Sequence, residues 1–481
     1  MKVLGTAVVL AALGCQGNPS SSSLKEHWDA NNNPARLGIA TAQYQSLPVQ
    51  AELANHNTLW SGYFWPTFRG GIADRWQRGS HGVDYRSYLY APLSPADVQN
   101  LSELDLNRLS PSEKFDLFKG RLDFPLTKAV QQRTVSRAVN GIVPGLDNMA
   151  MAWSAVVTQE AAPGTYSTVQ LVDRRHLTFF ASDIEALMEQ TYSEPARYGV
   201  QTLGTVCDGA HYLPDDQNRP LESECRDTNP ATMHLAMHDY IVQRGLPFIM
   251  NQGSDMSASN VPVYGYTFKY TNERPFDPAT DPAAAFRAAG TQSLVDVQTQ
   301  LLFAGNSTTS MNPRRGVTDY YTVSYTLELD AQGLIIGGEW LSSEHPDFIW
   351  EVTSRPVADP TGLVDYADAR QLLDGSIGHT TLPAWPEPTP GPAPTPGSGI
   401  PADGSREARL LLNYVNVAAR EVLVTRAHIS PDAAYRIEAT YNGPDGETGT
   451  IDDRPFIWMS QLIPLVSPYE LQLLLGASHQ P

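Results

Sequence analysis

Two histidines and an asparagine in the middle of the chain are the side chains best suited to acid–base chemistry. His234 and His238 are four residues apart in a predicted helix, so they share one face. Asn251 directly follows a short apolar run that predicts a buried strand. An imidazole can act as a general base, and a polar partner can orient it. These residues therefore supply a candidate base and a candidate orienting group, and no nucleophile is obvious beside them.

Each of these residues also has a structural interpretation. His234 lies in a largely apolar helix, where a buried, hydrogen-bonded histidine that only supports packing is an equally good interpretation. The pair His234 and His238 has the spacing of a zinc site. The segment between them lacks the glutamate of a zinc protease helix, however, and no third ligand is evident. Asp347 either helps to shape the site or simply ends a strand.

Two predicted helices must position these groups. Asn229 as N-cap and Pro230 at the first position predict a helix that carries His234 and stops at Gly245. A second, small-residue helix is predicted over residues 145–158, opening after Asp147 or Asn148. The free N-terminus of such a buried helix is a common location for a nucleophile.

The remaining pattern predicts an α+β fold with an antiparallel sheet. Residues 261–270 and 318–330 alternate as strands, and 334–340 is the hairpin partner of the second. A strand pair is predicted at 169–171 and 176–180, followed by a helix that Ser182 and Asp183 cap. Residues 59–76 are aromatic and rich in glycine, which predicts either loop-packed core or the wall of a substrate groove.

Composition limits the function classes. The chain has 481 residues, is 41% hydrophobic and carries a formal net charge of −19. A chain of this length can form several domains, each with its own hydrophobic core. The acidic balance argues against nucleic-acid binding, which needs a basic surface to displace counterions.

The N-terminus predicts export. Residues 1–14 have one basic residue and a short apolar run, which is typical of a signal peptide. The residues before Cys15 resemble a bacterial lipobox, so Cys15 is the predicted lipidation site, and residues 15–57 form a tether and N-terminal segment. We expect a lipoprotein of the outer membrane or cell surface of a bacterium, attached to the membrane only through this anchor. Release into the periplasm or the medium is the alternative.

The two remaining cysteines are close in sequence. In an exported protein, the pair Cys207 and Cys225 favours a disulfide, with a metal site or free thiols as alternatives. Closing a loop of this length contributes roughly 3 kcal/mol in the chain-entropy picture.

A change of composition marks the last domain boundary. The main domain is predicted over residues 58–381 and a Pro-rich linker over 382–404. A small helical domain over 405–481 follows, with predicted helices at 406–424, 433–441 and 467–476. Its loop between Asp445 and Asp453 is acidic but lacks EF-hand spacing, so calcium is a weaker interpretation than a solvated loop. No other cofactor is predicted.

Several dispersed motifs, in the same order, resemble the transglutaminase elicitor family, which includes oomycete cell-wall transglutaminases and exported bacterial relatives. The resemblance covers residues 58–357, and the tail resembles helix-hairpin-helix modules. The motifs are WPTFRGG from Trp65, SPSEKFDL from Ser110, CRDTNP from Cys225, NVPVYGY from Asn260, LELD from Leu327 and GGEW from Gly337.

The resemblance implies a papain-like, transglutaminase-type fold and acyl transfer from a glutamine side chain through a cysteine thioester. It places His234 on the family's helix histidine, and Asn251 where the family usually has an acid. It also makes Cys207 and Cys225 the family's paired cysteines. The family's nucleophile motif, Cys-x-Gly-Trp-Ala, falls on the five residues that begin at Asn148, and no cysteine is present there.

Two hypotheses follow from the missing cysteine. The first is a residual or divergent acyltransferase, for which Ser154 is a conceivable oxygen nucleophile. The second, which the sequence favours, is a pseudoenzyme that binds a protein or peptide in the old groove. Whether the chain is an enzyme is therefore left open by the sequence.

Overall fold

The computed structural model describes residues 31–54, 59–75, 85–144, 147–205, 227–252, 259–306, 313, 316–342, 345–357, 363–380, 401, 405–418, 420–441, 456 and 459–478. Some predictions lie outside these residues: the signal peptide, Cys15, Cys207 and Cys225, most of the Pro-rich linker, and the loop from Asp445 to Asp453. Within the described residues, none of the helices has both the length and the hydropathy of a membrane span.

An antiparallel sheet forms the centre of the main domain. The described strands are β1 Gln50–Glu52, β2 Tyr166–Gln170, β3 His176–Phe180, β4 Gly199–Gly204, β5 Phe248–Gln252, β6 Ser259–Pro275, β7 Ser293–Ala304, β8 Thr318–Leu329, β9 Ile335–Trp340 and β10 Phe348–Ser354. The order across the sheet is β4-β10-β5-β6-β7-β8-β9, with β1 added beside β6. β2 and β3 pair separately, as the sequence predicted.

The long strands follow the sequence pattern closely. The pair of β8 and β9 is the predicted hairpin, and Gly333 in its turn adopts φ +74, a left-handed conformation that glycine adopts without strain. β6 starts earlier and ends later than predicted, and a bulge shifts its register between Val263 and Gly265. Both faces of the central strands are covered, so residues such as Ile249 and Met250 are fully buried.

The helices of the main domain cover the sheet. They are α1 Pro95–Asn100, α2 Glu103–Asn107, α3 Pro111–Phe118, α4 Pro125–Arg137, α5 Ala150–Gln159, α6 Ala181–Thr191, α7 Pro230–His238 and α8 Tyr366–Ser376. α5 packs against β5, β6 and β10, whereas α7 packs against β8 and β9. The mixed α+β class with an antiparallel sheet is therefore confirmed.

Several predicted helices differ in detail from the structure. α6 begins at Ala181, so Ser182 and Asp183 lie inside its first turn, and the Asp183 carboxylate accepts a hydrogen bond from the Phe180 amide. The helix that carries His234 changes to π geometry at residues Asp239–Arg244 before it ends at Gly245, the predicted stop. The predicted helix over 406–424 is two helices, because the chain leaves helical geometry at Ala418.

Charged side chains of α3 are buried inside the main domain. Glu113 forms a capping box with Ser110 and accepts hydrogen bonds from Arg75. Lys114 pairs with Asp183 at 2.5 Å, and both side chains are fully buried. The carboxylate of Asp116 accepts the first amides of α4. The motif at Ser110 therefore connects helices and holds the domain together.

The tail forms a separate hydrophobic core. Its helices are α9 Arg406–Val417, α10 Arg420–Thr425, α11 Pro431–Tyr441, α12 Met459–Leu462 and α13 Pro468–Ser478. One carboxylate, Glu470, accepts hydrogen bonds from Ser430, which precedes α11, and from Ser467, which precedes α13. The starts of these two helices are therefore joined at one point.

Candidate active site

The N-terminus of α7 is seated directly on the edge of the sheet. Asn229 caps the helix by accepting a hydrogen bond from the Ala231 amide, and its side-chain amide donates to the carbonyl of Gly338 on β9. A Cβ atom on Gly338 would lie 2.8 Å from the Thr326 carbonyl and 3.1 Å from the Ala231 nitrogen. Only a glycine leaves room for this approach, and the approach fixes where His234 lies.

The residues before α7 are fixed by a second group of contacts. Asp227 lies 2.9 Å from Nε2 of His345, whose ring stacks on Trp340. The Trp340 indole donates to the carbonyl of Thr228, and the Thr228 amide donates to the carbonyl of Asp347. Asp347 is buried and contributes this main-chain contact at the start of β10. Its predicted role in shaping the site stays a prediction.

His234 is enclosed by aromatic side chains. Its Nδ1 lies 2.7 Å from the Tyr325 hydroxyl, and its Nε2 lies 3.2 Å from the Tyr270 hydroxyl. Its ring stacks on Phe268, with 4.0 Å between the centroids. The side chain is 0% exposed. The Tyr325 hydroxyl also contacts Thr299 at 2.7 Å, so the imidazole belongs to a short hydrogen-bonded chain.

This environment keeps the imidazole uncharged. Burial, with a smaller contribution from the neighbouring His238, lowers the pKa of His234 to about 3. A neutral imidazole has one donor and one acceptor nitrogen, so one tyrosine donates to the ring and the other accepts from it. A general base needs a pKa near the working pH and a free nitrogen, and His234 has neither in this arrangement.

Asn251 lies on β5 and is not hydrogen-bonded to His234. It is 2% exposed and pairs in register with Asn260 on β6. Within the part of the chain that the structure describes, its Oδ1 has no hydrogen-bond partner. The predicted contact between base and orienting residue is therefore not formed. Asn260, by contrast, has a side-chain partner: its Oδ1 accepts a hydrogen bond from the Trp350 indole at 2.9 Å.

The start of α5, where the sequence placed the missing nucleophile, is made of ordinary helix-start contacts. Asn148 accepts a hydrogen bond from the Ala150 amide at 2.8 Å, and the Met149 amide donates to the Phe64 carbonyl. Asp147 accepts from the Thr67 hydroxyl and from the Thr67 amide. Residues 59–75, which are aromatic and rich in glycine, thus form one wall around the N-terminus of α5.

Two other candidates have structural contacts. Ser154 is fully buried, and its hydroxyl donates to the Asn260 carbonyl at 2.7 Å. His238 contacts Gln243 through Nε2. Groups of three or more potential metal ligands are not found among the described residues.

A sequence model of one protein family, described as Transglutaminase elicitor, matches residues 129–378. The chain belongs to the transglutaminase elicitor family. The crystal structure of the GP42 transglutaminase from Phytophthora sojae is similar in fold, with a TM-score of 0.51 and 21% sequence identity. The match covers 72% of this chain and 98% of that chain. A search of curated proteins found no match.

The family motifs fall on the contacts that position α7. The motif at Cys225 contributes Asp227, Thr228 and the N-cap Asn229, and the motif at Gly337 contributes the glycine beneath the helix. The tyrosines around His234 were not predicted from the sequence. The alternation of apolar and polar residues predicted that Tyr270 lies on a strand. It did not predict which strand packs against which helix. Nothing in the local sequence connected Tyr325 with His234.

Proposed function

We propose that this member of the transglutaminase elicitor family is a pseudoenzyme that binds a protein or peptide at the surface around the N-terminus of α5. The observation that carries the proposal is the start of α5, where Asn148 stands at the position of the missing cysteine. A carboxamide cannot form the thioester on which transglutaminase chemistry depends.

The state of His234 supports the same proposal. Thioester chemistry needs a thiolate beside an imidazole that takes its proton. Here both ring nitrogens contact tyrosine hydroxyls, and burial holds the pKa of His234 at about 3. His234 is therefore part of the packing. The contacts of Asn229 and Gly338 that position its helix, which we call the α7 frame, are retained.

Residual acyl transfer is the competing hypothesis. Its strongest support is this retained frame, and its strongest nucleophile candidate is Ser154. The Ser154 hydroxyl, however, donates to a main-chain carbonyl, and its described contacts include no base. An unactivated serine in the core is a poor nucleophile.

We also propose that the protein is exported and lipid-anchored at Cys15. The apolar leader and the serines that follow Cys15 support this, as does the acidic composition. The pair Cys207 and Cys225 is proposed to form a disulfide in that oxidising environment. Metabolic labelling with a fatty acid, compared between the wild type and Cys15→Ala, tests the anchor.

Incorporation of a labelled amine into casein tests the loss of catalysis. We expect no incorporation above background for the wild type or for His234→Ala. Incorporation by the wild type that disappears in His234→Ala would refute the pseudoenzyme proposal.

A further inference from the structure

One exposed arginine beside the start of α5 is held in place by two aromatic side chains. Arg69 Nη1 lies 3.3 Å from the Tyr63 hydroxyl, and its guanidinium lies 5.5 Å from the centre of the Phe68 ring. Among the described residues, no carboxylate forms an ion pair with Arg69. An oriented guanidinium with no carboxylate partner within the described part of the chain can bind an anionic group of a ligand.

The aromatic side chains around Arg69 form one partly open surface. Tyr63 and Phe64 are half-buried, with 5.0 Å between their ring centroids, and Phe68 is also half-buried. We call Tyr63, Phe64, Phe68 and Arg69 the aromatic rim. Aromatic side chains next to an arginine are the combination enriched where protein interfaces gain most of their affinity.

The aromatic rim adjoins the place of the missing nucleophile. The Phe64 carbonyl accepts the Met149 amide at 2.7 Å, one residue before α5 begins. The rim and the N-terminus of α5 are therefore adjacent.

The charges nearby favour an acidic ligand. Arg133 and Arg137 both approach Asp147, at 3.6 and 3.0 Å, so one carboxylate is shared by two cations. Asp74 also acts on Tyr63 through its charge, so the described groups are three arginines and two carboxylates, and the local balance is positive, opposite in sign to the chain as a whole. Such a patch attracts negatively charged segments and repels basic ones.

We propose that the aromatic rim binds a protein or peptide that lies across the start of α5. Arg69 pairs with an acidic side chain of this ligand, and a neighbouring apolar side chain packs on the aromatic rings. This rests on the proposed binding function and specifies the chemistry of the partner. Tyr63 has a positioning role, because its hydroxyl fixes one of the five guanidinium donors and leaves the others for a carboxylate.

Fluorescence anisotropy with short labelled peptides tests the proposal. The probes alternate phenylalanine with glutamate, glutamine or lysine. We expect the wild type to bind the glutamate probe about tenfold more tightly than the glutamine probe, and the lysine probe most weakly. Arg69→Glu should remove this preference, and Tyr63→Phe should reduce it. Arg174→Glu makes the same charge change at an exposed arginine on the β2–β3 turn, and it should change nothing.

The outcomes separate this inference from the proposed function. Equal binding of the glutamate and glutamine probes, unchanged in Arg69→Glu, would overturn the role of Arg69 while leaving peptide binding in place. If no peptide probe binds, but polygalacturonate binds the wild type and does not bind Arg69→Glu, then the ligand is an acidic polysaccharide and the peptide proposal is wrong. No binding of any kind would count against the rim and the binding function together. Circular dichroism spectra confirm that each variant is folded.

Discussion

Tyr325 and His234 share a 2.7 Å hydrogen bond in the interior of the protein, and this contact connects β8 to α7. The tyrosine hydroxyl also meets Thr299 on β7. All three side chains are fully buried. The histidine that the family motif retains is thus part of the packing between a helix and a sheet.

Removing the Tyr325 hydroxyl should destabilise the main domain. Tyr325→Phe leaves Nδ1 of His234 and the Thr299 hydroxyl buried without their partner, which costs about 1–3 kcal/mol in the free energy of unfolding. Urea denaturation measures the change. Tyr320→Phe is the matched control, because Tyr320 lies on the same strand and is 62% exposed. Equal stability of the two variants would contradict the assigned role.

The ion pair between Lys114 and Asp183 offers a second test. Lys114→Met leaves a buried carboxylate without its cation, and we expect a loss of about 3–5 kcal/mol in unfolding free energy. The pair Lys119 and Asp368 is 2.8 Å apart and partly exposed. Lys119→Met should therefore cost about 1 kcal/mol or less. If both variants have the same denaturation midpoint, the buried pair is not a major support of α3 and α6.

Glu189 gives a prediction about pH. It is fully buried, its two oxygens lack hydrogen-bond partners among the described residues, and burial together with Glu185 raises its pKa well above the ordinary value. The folded state therefore holds a proton that the unfolded state releases above a pH of about 4.3. Since the folded state binds more protons, this residue lowers stability as the pH rises.

Glu189→Gln removes that penalty. The variant should be more stable than the wild type, by a margin that is small near the unfolded pKa and grows toward neutral pH. Denaturation curves over this pH range provide the measurement. Glu194→Gln, at a side chain that is 61% exposed, should show no such trend. A margin that shrinks as the pH rises would mean that Glu189 is ionised and stabilised in the folded state.

The sequence predicted elements whose determinants are local. The Asn229–Pro230 start of α7 and the hairpin turn that contains Gly333 each depend on a few neighbouring residues, and each was found. The candidate residues for the site were named as well. The contacts between these residues could not be predicted, because they depend on how segments that are far apart in the sequence pack together.

His234 shows why the site could not be completed from the sequence. Tyr270 and Tyr325 reach it from two strands that are far apart along the chain, and neither tyrosine has a distinctive motif position relative to the helix. The burial of Lys114 could not be predicted either, because its partner Asp183 lies on a separate helix. Contacts of this kind are decided by packing, which periodicity does not specify.

We propose that His234 is a neutral, packed side chain that does not act as a base. The most direct test is NMR of ring-labelled histidine, with His234→Gln used to assign the signal. We expect this ring to stay neutral from neutral pH down to acid unfolding, because burial lowers its pKa to about 3. A His234 signal that titrates near the ordinary histidine pKa of about 6.5 in the folded protein would contradict the claim.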